Sequence, residues 1–175
     1  PIPRRSANII TFVFVSQSAT RRRPGRTHCR YSLPCVGIAR ASPAAMPRPI
    51  RMNTPHQLFF VTNRTFQSRL LMTPSPRVNG LIGGVLARAL HRYDVALHAF
   101  VFLSNHCHLI VSSPTGSISD FMGYIEANIA KEVGRHIGWR GHFWERRFSA
   151  EPILDDAALE RRLAYIFAHE VKECL

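Results

Sequence analysis

Asn105-His106-Cys107-His108 opens an apolar run that continues through Leu109, Ile110 and Val111. On a β-strand alternate side chains share a face, so His106 and His108 project together while Cys107 projects the other way. Two neutral imidazoles side by side are half a site for a divalent first-row ion. With an oxygen ligand such a site suits manganese or magnesium, although nitrogen is a poor ligand for magnesium alone. The bare spacing fits equally well two partly buried histidines that do no chemistry.

A second concentration of useful side chains follows later in the chain. Arg135, Arg140, Arg146 and Arg147 interleave with Trp139, Phe143 and Trp144. Guanidinium groups contact phosphates and aromatic rings stack on bases, so the mixture suits nucleic acid. The simpler alternative is that the rings are core and the arginines merely solvated.

Whole-chain charge does not decide between these readings. The formal net charge is +12, but residues 1–51 hold ten arginines and no acidic residue; +12 less +10 leaves only +2 for residues 52–175. Local clusters must therefore carry any claim about phosphate binding. The four cysteines, Cys29, Cys35, Cys107 and Cys174, are too irregularly spaced for a disulfide framework or a C-x-x-C knuckle, which favours a reducing, cytoplasmic setting. No membrane span is expected, because the run from Ile9 to Val15, with Thr11 inside it, is far short of roughly 20 residues. Arg4 and Arg5 before that run imitate a signal peptide, but Arg21-Arg22-Arg23 follows and there is no initiator methionine, so export is not expected.

These side chains need elements to position them. Residues 1–51 show no sustained period and are expected to be a basic disordered extension, or sequence upstream of a natural start at Met46 or Met52. Residues 52–175 form the expected domain, which stops straight after a helix-like run and so reads as truncated at its C-terminus. His56 to Thr62 is aromatic and β-branched, a strand. Ser75 caps a helix carrying Val78, Leu81, Ile82, Val85, Leu86, Ala89 and Leu90. Ala96 to Leu103 and Cys107 to Ser113 read as a hairpin of buried strands. Ser117 or Ser119 caps a second helix with Phe121, Met122, Ile125, Ile129 and Val133, closed by Gly134 or Gly138. Ala150 to Leu154 forms a short last strand, and Asp155-Asp156 caps a final helix with Leu159, Leu163, Ile166 and Phe167. The order predicts an α+β, ferredoxin-like βαββαβ antiparallel sheet with helices on one face and an added C-terminal helix.

Phe100 to Val111 strongly resembles the HUH motif of REP-associated tyrosine transposases, in which a hydrophobic strand leads into Pro-Asn-His-x-His and further apolar residues. Here Ser104 stands in place of the proline and Cys107 fills the hydrophobic middle position; neither change removes a ligand. The likeness extends to Val61-Thr62-Asn63-Arg64-Thr65 and to Gly141-His142-Phe143-Trp144-Glu145-Arg146-Arg147-Phe148, about residues 56–172 in all. The resemblance implies cleavage of single-stranded or hairpin DNA by a helix tyrosine through a 5′-phosphotyrosine, with a divalent metal (Mg or Mn) at the scissile phosphate. Phenol, with a reference pKa of ~10, is a weak nucleophile at neutral pH, so charge on the phosphate must be stabilised. The covalent ester keeps the bond energy for rejoining.

Of the four tyrosines, Tyr31 lies in the unpatterned segment, Tyr93 ends the first helix and Tyr165 sits in the last; Tyr124, early in the second helix, is the expected nucleophile. The resemblance implies a polar metal ligand one turn after the nucleophile, and Asn128 fills that place with a carbonyl oxygen. Glu132, another turn on, is a weaker ligand candidate. A packing role at the rim of the Phe121–Ile125 face is the alternative for Tyr124. The expected DNA contacts are Arg135, Arg140, Arg146, Arg147 and Trp144, in a nucleoid-associated, bacterial-type protein that could pair into a homodimer. The alternatives are a degenerate nucleic-acid-binding module without cleavage, and a zinc hydrolase, which would need a further His, Cys or carboxylate beside the pair.

Overall fold

The structure, a computed structural model, describes residues 10–13 and 54–173. Strands β1 (Ile10–Val13), β2 (Leu58–Arg64), β3 (Ala96–Phe102), β4 (His106–Ser112) and β5 (Ser149–Pro152) alternate with helices α1 (Pro76–Arg92), α2 (Ile118–His136) and α3 (Asp156–Glu173). They form one antiparallel sheet in the order β1-β3-β4-β2-β5. From β2 onward the succession is the expected βαββαβ plan with an extra helix. Ile10–Val13 is a difference: these four residues, inside the segment expected to lack structure, pair with β3 at the sheet edge. All four are β-branched or aromatic, a composition suited to a pleated edge, but four residues are too few to show a period. The disorder expected elsewhere in residues 1–51 lies outside the described residues.

Local chemistry sets the helix ends. The Ser75 hydroxyl accepts from the Val78 amide at 3.1 Å and Pro76 supplies the first helical φ of α1. Gly138, at φ +69°, takes the left-handed step just past the end of α2. The Asp155 carboxylate accepts from the Ala158 amide at 2.6 Å and starts α3. At the start of α2 the Ser117 hydroxyl makes no cap bond and instead meets Ser113 Oγ at 3.1 Å.

The sheet is covered on both faces. α1 and α2 bury Val78, Ile82, Val85, Phe121, Ile125, Ile129 and Val133 against Phe59, Val61, Cys107, Leu109 and Val111. On the other face Phe60, Ala99, Val101 and Ile110 meet Ile166 of α3, with Leu159 and Leu163 half-buried beside them. A register shift between Leu97 and Ala99 lets β3 serve both layers, since Leu97 joins the first cluster and Ala99 the second. Among the described residues no helix is long and apolar enough to cross a membrane.

Candidate active site

The alternation of β4 decides where the histidines stand. Cys107, Leu109 and Val111 face α1 and α2, so His106 and His108 face the α3 side with Ile110. Both are nearly buried, at 9% and 5% exposure, and their rings lie 5.0 Å apart at 80°. Cys107, enclosed on the opposite face, has its thiol pushed up to about 12 by burial.

Each imidazole is oriented through its Nδ1. Asn105 Oδ1, which can only accept, lies 2.6 Å from His106 Nδ1, so that nitrogen carries the proton and donates. Thr62, paired with His108 in the register of β2 and β4, places its hydroxyl 3.0 Å from His108 Nδ1. The Asn105 contact leaves His106 Nε2 as the lone-pair nitrogen, and when the Thr62 hydroxyl accepts from His108 Nδ1 the same holds for His108 Nε2, the arrangement in which a metal-binding histidine is held by an outer hydrogen bond. Phe60 stacks flat on the His108 ring at 5.1 Å and 14°, fixing its plane from below. The donor chemistry therefore fits a divalent ion on His106 and His108. Among the described residues, no group of three His, Cys, Asp or Glu comes together.

The tyrosine brought to this face is Tyr165, beside His108. Its ring stands edge-on to His108 at 5.2 Å and 78°, and also meets Phe60 at 6.2 Å. α3 crosses this face with Ile166 fully buried, which places the preceding residue at the margin of the contact, 37% exposed and open to solvent on one side. Arg162, one turn earlier, lies 4.6 Å over the Phe60 ring and pairs with Glu151 on β5.

Tyr124 and Asn128 stand elsewhere, on the other side of the sheet. α2 packs on the Cys107–Leu109–Val111 face, so its tyrosine and the histidines are separated by the sheet itself. Tyr124 meets Tyr93 at 5.8 Å, lies under Arg92 at 5.8 Å and helps raise the pKa of Arg88. Asn128 donates to the carbonyl of Tyr124 at 2.8 Å, and Glu132 is ion-paired with Arg88. The expected nucleophile and third ligand are thus corrected: neither reaches the histidine pair within one chain.

The arginine cluster divides as its residue types suggest. Arg135, Arg140, Arg146 and Arg147 are exposed, while Phe143 and Phe148 are core. Trp144 is half-buried: it bridges to Thr65 and its indole N–H donates to the Glu126 carbonyl at 2.9 Å. Sequence reasoning passed over Thr62 and set Tyr165 aside. The signal for Tyr165 was the tally of β4 faces: its odd positions are uniformly apolar and belong under two helices, leaving the histidine face to the last one.

A family model described as IS200-like transposase matches residues 68–169, more than half of the chain. Among solved structures, a REP-associated tyrosine transposase bound to a REP hairpin is similar, with a TM-score of 0.58 and 18% identity over 73% of this chain and 74% of that one. At that identity the likeness is one of fold. A Deinococcus radiodurans R1 protein assigned as a transposase aligns over 68% of this chain and 95% of its own, with a TM-score of 0.47 and 13% identity. No curated protein matches the sequence.

Proposed function

Because this chain belongs to the IS200-like transposase family, we propose that it cuts and rejoins single-stranded DNA through Tyr165, with His106 and His108 holding a divalent metal. The observation that carries this reading is the edge-on approach of Tyr165 to His108 at 5.2 Å within one chain. The phenol oxygen attacks the scissile phosphorus, the 3′ oxygen of the preceding nucleotide leaves as a hydroxyl, and a 5′-phosphotyrosine remains. Attack by a 3′-hydroxyl on that ester reverses the step and joins strands. When bound, the metal polarises the scissile phosphate and neutralises charge gained in the transition state. The two imidazoles supply its protein donors, and a set of two nitrogens favours manganese over magnesium. Asn105 and Thr62 keep the rings in register with the phosphate. The nucleophile and the histidines come from the same chain, which supports a reaction complete in one subunit. The REP hairpin bound by the structural neighbour supports hairpin DNA as the substrate class.

The test is a labelled hairpin oligonucleotide with manganese, resolved on a denaturing gel. Wild-type protein and Tyr124→Phe are expected to give a covalent protein–DNA band, and Tyr165→Phe none. A band that survives Tyr165→Phe would remove Tyr165 as the nucleophile. Since Tyr165 is 37% exposed, loss of its hydroxyl is not expected to disturb folding.

A further inference from the structure

An open groove of about 450 Å³ lies between α2 and the segment that follows it, on the side of the sheet away from the histidines. Its floor is the small-residue edge of α2, Gly123, Ala127 and Ala130, and its walls are Trp139, Phe143 and Trp144. Both indoles are locked by their N–H groups: Trp139 donates to the His142 carbonyl at 3.1 Å and Trp144 to the Glu126 carbonyl at 2.9 Å. The Arg69 guanidinium lies 5.2 Å over the Trp139 ring, and Arg140 is exposed between Trp139 and Gly141. Flat, fixed aromatic walls beside arginines complement a base attached to a phosphate, not an aliphatic ligand.

The groove adjoins the histidine end of the sheet. Trp144 bridges to Thr65, the Glu145 amide donates to the Arg64 carbonyl at 2.9 Å, and Arg64 is paired in register with His106. A strand crossing the sheet end past Arg64 would therefore have both places within its path. The loop that carries Arg69 is held in a costly conformation, with Gln67 at φ +52° and Ser68 at φ +54°. It is pinned by the Thr65 amide on the Asn105 carbonyl and the Phe66 amide on the Phe143 carbonyl.

We infer that this groove is a nucleobase site: one unpaired base of the DNA stacks between the tryptophan walls, with its flanking phosphates on Arg69 and Arg140. The inference rests on the DNA-acting function proposed above and adds a second contact, distant from the chemistry, that would set which phosphate reaches Tyr165.

Gly123 makes the site testable without damage to the fold. It lies in the middle of a helix, and a Cβ there meets nothing within 4 Å, so Gly123→Leu fills the groove while improving helix propensity. Gly83 in α1 has the same freedom outside the groove, and Gly83→Leu is the control. Binding is measured by fluorescence anisotropy, without metal and in a Tyr165→Phe background, to oligothymidylate and to an abasic strand of equal length and charge. The background protein is expected to prefer the strand with bases by about tenfold, the size of one stacked base. Gly123→Leu should abolish that preference, leaving the abasic affinity unchanged, and Gly83→Leu should keep it. A Gly123→Leu protein that retains the preference, or that weakens both strands equally, overturns the assignment. Either result can coexist with a covalent band from Tyr165, so the groove and the nucleophile fail separately.

Discussion

The two faces of the sheet are built to different depths. On one, α1 and α2 close over Phe121, Ile125, Ile129 and Leu109, all at 1% exposure or less. On the other, among the described side chains, the single helix α3 contributes one fully buried residue, Ile166, while Leu159 and Leu163 are half-buried and Phe167 is 47% exposed. The apolar material that holds the fold is concentrated on the first face, and the proposed chemistry sits on the second. The difference teaches that the proposed nucleophile is carried by the helix with the thinner contact on the sheet among the described residues. If that helix admits and releases a DNA strand, as the proposed function requires, a thin contact serves it better than a deep one.

The largest test of this contrast is a pair of truncations. Phe121→Ala should cost about 4 kcal/mol, because the ring is enclosed between two helices and the sheet and its cavity cannot collapse. Ile166→Ala should cost nearer ~2 kcal/mol, since the half-buried neighbours of α3 can settle into the space. Urea denaturation of the two variants measures both. Equal losses would mean that α3 is anchored as firmly as α2, and the argument from depth would fail.

The middle test concerns how the thin face keeps the histidines aligned. Thr62→Val removes the hydroxyl at His108 Nδ1 and keeps the shape of the side chain. Loss of such an outer hydrogen bond should weaken manganese affinity about 10- to 100-fold, read by calorimetry or by the manganese EPR signal. Unchanged affinity would show that Phe60, stacked at 5.1 Å, fixes the ring unaided.

How much of this was readable beforehand depends on the element. The helices and the strands from β2 onward followed from periodicity and caps: Ser75 and Asp155 cap α1 and α3 as their residue types predict. The shared face of His106 and His108 followed from strand alternation alone. Tyr165 did not follow, because β4 is buried on both faces from His106 through Val111, and burial by itself cannot say which helix lies over which face. The missing step was topological. Right-handed crossovers place α1 and α2 on one side, so the final helix must take the other, and with it the histidines. The groove was illegible for another reason: it joins Gly123 of α2 to Trp139 and Trp144 through long-range packing that no local pattern records.

The finest contrast lies within one strand, between Cys107 and its two histidine neighbours. Burial pushes the Cys107 thiol up to about 12 from an ordinary value of 9.0, so the folded chain keeps a proton that the unfolded chain loses above pH ~9. The folded state then binds more protons, and its stability must fall as pH rises through that window, by about 1.4 kcal/mol per pH unit from this group alone. Below pH 9 the group contributes no slope. Cys107→Ala should therefore be less stable than wild type near neutrality, from the lost packing, yet show the flatter decline above pH 9 when both are followed by urea denaturation. Parallel declines would mean that the thiolate is accommodated, and that the helical face is wetter than its buried side chains imply. A steeper wild-type slope would place the dry side of β4 one residue away from the side proposed to admit phosphate.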